Sequence, residues 1–330
     1  MNILDEGKLS IEQLKELVFE YTKNFREEVL THPYIGQDCA VIDSKGSMIS
    51  ISSDPITAAK EDIGRLAVDI NLNDIAASGA SPFAITVTIL CPLGTTDEDI
   101  KLVMKDIYES ARAKDVQIIG GHTEVTSAVN KMIISVTALG LLSKAHFENV
   151  PVFQDGDYIY VTKDIAMEGT HIIALEKFSE LSQLLSEEDN KTLEDYSKNL
   201  SVVEDSKLAR DYECIMHDIT EGGVLGAVWE TCEMIGFGAK LDYSSMPLSE
   251  TSKKICHFYN INPLRLISSG SMLIVAKAHS SKALEQAFAL SNIRLSKIGE
   301  LSKDEAVVIF EDGIYSSVLP PKSDELYKVV

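Results

Sequence analysis

Apolar and polar residues alternate along the chain with two different periods, and the pattern predicts both helices and strands. Residues 9–23 carry apolar side chains at i, i+3, i+4 and i+7, which is typical of an amphipathic helix. Residues 62–80 predict a longer helix that ends at Gly79. Short apolar runs rich in β-branched residues follow residue 33 and favour strands. Adjacent strands occur alongside strand–helix alternation, so the pattern predicts the α+β class.

The pattern also predicts two domains. A turn-rich segment around Pro151 separates two strand-containing parts, which gives domains over residues 1–150 and 151–330. The length of 330 residues suits two domains, because a domain usually takes about 100–200 residues. Residues 214–236 read as a strand, a glycine-containing turn and a helix, and residues 319–330 are expected at the surface.

Composition and charge narrow the classes of partner. The chain has 30 Lys and Arg against 51 Asp and Glu, a net charge of −21 that repels polyphosphates and anionic membranes. We therefore expect neither nucleic acid nor a membrane as a partner, and a nucleotide site would need a cation such as Mg²⁺. The five cysteines are dispersed without a C-x-x-C pair, and the N-terminal residues do not resemble a leader peptide. These features favour a cytoplasmic protein.

Four aspartates at the ends of predicted elements are candidate Mg²⁺ ligands, because Mg²⁺ prefers carboxylate oxygens together with phosphate and water. They are Asp38, Asp54, Asp74 and Asp218. Taken singly, each is more often a turn or cap residue than a ligand.

Two glycine pairs are candidate phosphate-binding loops. Gly120 and Gly121 follow an apolar run, and Gly222 and Gly223 open a predicted helix, where backbone N–H groups favour an anion. A glycine pair between strands is also commonly only a turn. No P-loop or Rossmann motif occurs in the chain.

Three further side chains remain open between a chemical and a structural role. Lys60 could contact a γ-phosphate, although a solvated lysine is the ordinary case. His122 and His217 could be metal ligands or bases, but their separation in sequence and the lack of an H-x-x-x-H motif favour ordinary hydrogen-bonding roles.

Six motifs, taken in order, carry a resemblance to a known family. GQDCAVID, SSDPI, GRLAVDINLNDIAASGASP, IIGGHTEVT, HDITEGGVLGAVWE and ISSGSMLIVA together resemble the AIR synthetase (PurM) superfamily over about residues 30–280. This superfamily also contains the hydrogenase-maturation protein HypE, thiamine-monophosphate kinase and selenophosphate synthetase. The residues of the motifs GGHTEVT and HDITEGGV look most similar to those of the HypE branch and its relatives.

The resemblance implies a homodimer in which the N-terminal sheets associate, with ATP between the two lobes of each chain. It also implies site roles for the residues that match the motifs. The implied metal ligands are Asp38, Asp54, Asp74 and Asp218; the residues implied to contact nucleotide are Asn71, Asn73, Gly120, Gly121 and Thr123; and Glu124 is implied to orient a metal or the substrate. The residue chemistry adds Lys60, Thr220, Gly222 and Gly223 as candidate nucleotide-binding residues, and Asp54, Glu124, His122 and His217 are the candidate catalytic residues.

The implied chemistry is Mg²⁺-assisted phosphoryl transfer from ATP to an amide, carboxylate or phosphate oxygen, which then becomes a leaving group. Two departures limit the match. Gln37 stands where family members commonly carry a second acid, and the last cysteine is Cys256, whereas the HypE branch ends in a cysteine that carries the carboxamide. The sequence therefore leaves open a nucleotide-binding regulatory or scaffold homologue without turnover.

Overall fold

The computed structural model describes residue 11 and residues 29–31, 34–37, 39–44, 46–57, 62–304 and 306–330. The predicted helix over 9–23, apart from Ile11, and the candidates Asp38 and Lys60 lie outside the described residues. The chain forms two compact units, built mainly from residues 39–148 and from Asn149–Val330.

The first unit is a five-stranded sheet with helices, in the strand order β1-β2-β5-β3-β4. Strands β3 and β4 are parallel, and the other neighbours are antiparallel. The strands are β1 Ala40–Asp43, β2 Met48–Ile56, β3 Ser81–Cys91, β4 Gln117–Val125 and β5 Ile133–Leu142; the helices are α1 Ile63–Ala77, α2 Asp97–Ala113 and α3 Lys144–Glu148.

Helix α1 is the central helix of this unit and corresponds to the helix predicted over residues 62–80. It packs on β2 and β5, and most of its side chains are buried. The close contact with β5 depends on Gly140, because a Cβ there would lie 2.3 Å from the Ile75 side chain. Gly79 adopts a φ of 79° just beyond the helix, as its predicted terminating role requires.

The second unit contains a seven-stranded sheet in the order β12-β11-β8-β10-β6-β9-β7, in which only β11 and β8 pair in parallel. Its strands are β6 Tyr158–Thr162, β7 Cys214–Asp218, β8 Gly238–Asp242, β9 Met272–Ala276, β10 Leu295–Ser302, β11 Val307–Glu311 and β12 Ile314–Ser317. Its helices are α4 Met167–Glu176, α5 Phe178–Leu181, α6 Glu187–Lys198, α7 Val203–Ala209, α8 Gly223–Ile235, α9 Glu250–Tyr259 and α10 Ser281–Ala289, with short 3₁₀ turns at Tyr243–Ser245, Pro263–Arg265 and Glu325–Lys328. The mixed sheets of the two units confirm the α+β prediction.

Two apolar clusters stabilise the second unit. Helix α8 packs on the sheet through Val224 and Val228, and a second cluster joins α4 and α9. Leu326 belongs to this second cluster and is 6% exposed. The expectation that residues 319–330 are surface material is therefore wrong in part, because one well-placed apolar side chain fixes the segment to the core.

The five cysteines are all buried and reduced. Burial raises the pKa of the Cys214, Cys232 and Cys256 thiols to about 12, because the interior disfavours a thiolate. None of these three thiols is therefore a ready nucleophile. Among the helices that the structure describes, none is long and apolar enough to cross a membrane.

Candidate functional site

Asn71 of α1 fixes the backbone of β2 beside Asp54. Its Oδ1 accepts a hydrogen bond from the Asp54 N–H at 2.7 Å, while its Nδ2 donates to the Asp54 carbonyl at 3.2 Å and to the Ala67 carbonyl at 2.9 Å. Asn71 is completely buried. These bonds give Asn71 a positioning role, and a direct contact with nucleotide stays a prediction for it and for the equally buried Asn73.

Asp54 and Asp74 are brought to one side of β2. Asp74 is 7% exposed on α1, and its Oδ2 accepts a hydrogen bond from the Ser52 hydroxyl. Asp54 is exposed and lies two residues beyond Ser52 on the same face of the strand, roughly 7 Å along it. The Cys39 thiol donates to the Asp74 carbonyl at 3.2 Å. Cys39 of the motif GQDCAVID and Asp74 of the α1 motif are therefore in contact.

The glycine pair of the first unit lies in β4, at the edge of the sheet. A Cβ on Gly121 would stand 1.9 Å from the Val87 carbonyl oxygen, and the residue has a φ of 150°, so close approach to β3 explains this glycine. A Cβ on Gly120 would meet no atom of the residues that the structure describes within 4 Å. Thr123 is exposed on the same strand. Only Gly121 thus has a structural reason to be glycine, and phosphate binding by this strand stays a prediction.

His122 and Glu124 form a pair on the face of the sheet that is turned away from α1. Their Nε2 and Oε2 atoms are 3.2 Å apart. Residues paired across neighbouring strands point to the same face of the sheet. His122 is connected in this way to Pro55 of β2, through the paired residues Thr88 of β3 and Ser135 of β5. Pro55 faces the side opposite to its neighbour Asp54. Within one chain, the structure does not bring this pair together with the two aspartates.

In the second unit, His217 and Asp218 end β7 and are almost fully buried. The Nε2 of His217 lies 3.3 Å from a carboxylate oxygen of Glu230 on α8. Asp218 is followed by the turn that starts α8, in which the Gly223 N–H donates to the Thr220 carbonyl at 3.1 Å. The His217 contact supports a hydrogen-bonding role between strand and helix, while its catalytic role and the metal-ligand role of Asp218 stay predictions.

Two buried acids near this turn were not found from the sequence. Asp324 accepts hydrogen bonds from three backbone N–H groups, and burial raises its pKa. Glu168 begins α4, and burial, together with the nearby charges of Asp324 and Glu221, raises its pKa to about 7. Glu168 stands in no sequence motif that could have identified it. Asp324 could have been identified as a cap residue, because it directly precedes the turn Glu325–Lys328.

The described residues offer Mg²⁺ a partial ligand set. No group of three or more His, Cys, Asp or Glu among them could hold a metal ion. Mg²⁺ nevertheless usually takes only one or two carboxylates and completes its octahedron with phosphate oxygens and water. Asp54 and Asp74 on one side of β2 fit that requirement.

The order of the motifs and the two mixed sheets correspond to a known family. Residues 36–142 match the N-terminal domain of the AIR synthase related proteins, and residues 154–311 match their C-terminal domain. The chain belongs to the AIR synthase related family. The resemblance noted in the sequence is thereby confirmed, including its similarity to HypE.

Relatives and solved structures show the same likeness. A protein of Methanocaldococcus jannaschii, named as a hydrogenase expression/formation protein, is 30% identical over 69% of this chain and 66% of its own length, just under two thirds. The carbamoyl dehydratase HypE of Escherichia coli is 25% identical over 77% of this chain and 78% of its own length. A crystal structure of HypE in complex with ATP has a TM-score of 0.69 at 19% identity and covers 98% of both chains. At that identity the structural likeness establishes the fold.

Proposed function

We propose that this protein is a cytoplasmic, Mg²⁺·ATP-dependent enzyme that activates an amide or related oxygen by phosphoryl transfer. The observation that carries the proposal is the pair Asp54 and Asp74, held on one side of β2 by Asn71 and Ser52. The name carbamoyl dehydratase of the E. coli relative and the ATP complex of a protein with the same fold support this reading.

The chemistry follows from what these side chains do. Asp54 and Asp74 would hold Mg²⁺ against the phosphates, and a bound Mg²⁺·ATP would supply the transferable phosphoryl group. Positioning and electrostatics account for most of the catalysis in phosphoryl transfer, so a fixed acid pair is the main requirement. Two hydrogen bonds of Asn71 fix the β2 backbone that carries Asp54, and a third, to the Ala67 carbonyl of the same helix, holds the amide in place. The Ser52 hydroxyl limits the rotation of the Asp74 carboxylate.

A homodimer through the first unit belongs to the same proposal. On the face of the sheet away from α1, Ile49 pairs with Leu141 and Ile51 with Leu139. These four side chains are only partly buried, and Leu141 is 51% exposed. A row of apolar side chains across neighbouring strands is a surface that a second copy of the same sheet would cover. His122 and Glu124 lie on this face, so the dimer would place them at the interface.

The experiment compares the wild type with Asp74→Asn. Calorimetric titration with a non-hydrolysable ATP analogue and Mg²⁺ should show a loss of affinity of at least about tenfold, because removing one charged ligand costs about 1.4 kcal/mol or more. Asp97→Asn, an exposed aspartate in the first turn of α2, is the matched control and should bind like the wild type. Equal affinity in all three proteins would refute the proposed site.

A second measurement separates an enzyme from a homologue without turnover. Phosphate release from ATP is followed with a series of small carboxamides and carboxylates, with and without Mg²⁺. An enzyme should release phosphate only with Mg²⁺ and faster with one of the acceptors. Tight binding of the analogue without release for any acceptor would favour the regulatory or scaffold alternative.

A further inference from the structure

The C-terminal segment, residues 319–330, is anchored on the second unit by one buried carboxylate. Oδ2 of Asp324 accepts a hydrogen bond from the Gly222 N–H at 2.7 Å, and its Oδ1 accepts from the Ile267 N–H at 3.2 Å and the Leu326 N–H at 2.8 Å. Asp324 is 2% exposed. A buried carboxylate with several N–H donors makes strong hydrogen bonds as long as it is ionised. The segment is therefore docked through a negative charge.

Glu168, at the start of α4, lies directly behind this anchor. The N–H of its neighbour Gly169 donates to the Ile267 carbonyl at 3.1 Å, and the Ile267 N–H in turn donates to Asp324. A Cβ on Gly169 would lie 2.4 Å from the Leu266 side chain, so the helix and this stretch of chain are in close contact. Glu168 itself is 6% exposed. One residue, Ile267, thus connects the helix that carries Glu168 to the carboxylate that anchors the C-terminal segment.

Two acids face Glu168 from the neighbouring elements. Asp324 faces it from the C-terminal segment and Glu221 from the turn before α8, while the turn before β9 contributes the Ser269 side chain. The Tyr327 hydroxyl donates to Oε1 of Glu221 at 3.1 Å, so the second acid also contacts the segment. Like charges that are close together and shielded from water repel one another strongly. An ionised Glu168 therefore opposes docking of the segment that carries Asp324.

Two other side chains of these elements carry or can take up a positive charge. Arg265, which ends the 3₁₀ turn Pro263–Arg265, donates to the Leu319 carbonyl at 2.6 Å and so contacts the C-terminal segment itself. His171 follows Glu168 by three residues on α4. Histidines ordinarily titrate between about pH 5 and 8, so an experiment on Glu168 has to exclude His171.

Burial, together with the charges of Asp324 and Glu221, raises the pKa of Glu168 from 4.5 to about 7, so this acid changes its charge close to neutral pH. We propose that the C-terminal segment is a pH-sensitive strap, which is docked while Glu168 is protonated and is released when Glu168 ionises. Release removes the charge of Asp324 from Glu168 and gives the new carboxylate access to water. The inference goes beyond the proposed nucleotide-dependent function and does not depend on it.

The direction of the pH dependence follows from the two pKa values. Docking holds the pKa of Glu168 above its ordinary value of 4.5, so the contribution of Glu168 to docking is complete below about pH 4.5 and is lost as the pH rises to about 7. If release returns the pKa fully to 4.5, the ratio of docked to released segment falls about twentyfold between pH 5.5 and pH 7.5. A partial return gives a smaller fall.

The first experiment measures amide hydrogen exchange of the full chain at pH 5.5 and pH 7.5, corrected for the intrinsic pH dependence of exchange. The reporters are the Leu326 N–H, which donates to Asp324, and the Val330 N–H, which donates to the Leu326 carbonyl. We expect their protection to fall by about fivefold to twentyfold at the higher pH. A change of less than about twofold would overturn the proposal. Exchange as slow as that of strand β9 at both pH values would also overturn it, because the segment would then open only when the whole unit unfolds.

Glu168→Gln is the decisive variant, because glutamine has the shape of the protonated acid and cannot ionise. Protection in this variant should be equal at the two pH values, within about twofold, and at pH 7.5 it should exceed that of the wild type. Glu176→Gln, at the exposed end of the same helix, is the matched control and should lose protection as the wild type does. If Glu168→Gln keeps the pH dependence of the wild type, another group such as His171 is responsible and the proposal is wrong.

Glu221→Gln tests the same idea even if Glu168→Gln does not fold. The amide keeps an oxygen that accepts from the Tyr327 hydroxyl, but it removes one of the two charges that face Glu168. Because the repulsion is strongest in the docked, shielded arrangement, the fall in protection should be about two to three times smaller than in the wild type. An equal or larger fall in the folded variant contradicts the strap. None of these measurements involves nucleotide, so their outcome is independent of the proposed function.

Discussion

Glu168→Gln should stabilise the second unit strongly at alkaline pH and by less than about 1 kcal/mol at pH 5. The Glu168 side chain is buried at the start of α4, its Oε2 has no hydrogen-bond partner among the described residues, and burial raises its pKa from 4.5 to about 7. Because the folded-state pKa is the higher one, the unfolded chain releases its proton first as the pH rises. The stabilisation from this group is complete below about pH 4.5 and is lost as the pH rises to about 7.

The magnitude follows from the two pKa values. A rise from 4.5 to about 7 corresponds to a difference of about 3 kcal/mol between the protonated and the ionised group. A glutamine has the shape of the protonated acid and cannot ionise, so it removes this pH dependence. The free energy of unfolding of the variant should therefore exceed that of the wild type by up to about 3 kcal/mol at pH 8.

Urea unfolding monitored by fluorescence measures this effect, because the single tryptophan of the chain, Trp229, lies on α8 against the core of the same unit. Titrations of wild type and Glu168→Gln between pH 5 and pH 8 give the difference at each pH. Glu176→Gln, at the exposed end of the same helix, is the control and should follow the wild type throughout. If the free energies of unfolding of the wild type and of Glu168→Gln differ by the same amount at pH 5 and at pH 8, the reasoning is refuted.

Three further predictions follow from single contacts, each measured as a change in the free energy of unfolding. Gly121→Ala should destabilise the first unit by about 3 kcal/mol or detach β4, because its Cβ would overlap the Val87 carbonyl; a loss below 1 kcal/mol would contradict the close approach. Lys277→Met should cost about 3–5 kcal/mol, since it leaves the carboxylate of Asp157, 2.7 Å away, buried without its cation, and an unchanged midpoint would argue against this pair. Asn260→Gly should stabilise by up to about 1 kcal/mol, because the residue ends α9 with a φ of 51°; destabilisation would show that its side chain contributes more than its backbone costs.

Much of the fold could be predicted from local pattern. The helix expected over 62–80 became α1, and the strand–turn–helix expected over 214–236 became β7 and α8, because both depend on periodicity and on glycines at element ends. The structure places Asp54 and Asp74 on one side of β2, and their role as metal ligands stays a prediction. His122 and Glu124 lie on the opposite face of the sheet. The sequence could not predict this, because the alternation of side chains along a strand does not tell which of its two faces points toward the helices.

The part of the fold that the sequence predicts least well is the C-terminal segment, residues 319–330. Its prolines and charges are typical of surface chain, but its position depends on one buried leucine and on hydrogen bonds between residues about 100 positions apart in sequence. No periodicity records such contacts. Glu168 was missed for a related reason: its raised pKa comes first from burial and then from the charges of Asp324 and Glu221, and none of these can be read from the local sequence.

The burial of all five cysteines has a practical consequence for following the protein in solution. Native thiols that are shielded and hard to ionise react slowly with maleimides and similar reagents. A single cysteine placed on the surface of the C-terminal segment would then be the fastest-reacting thiol of the folded chain. One fluorophore there, paired with the lone tryptophan of α8, would report the distance between segment and helix during each nucleotide titration.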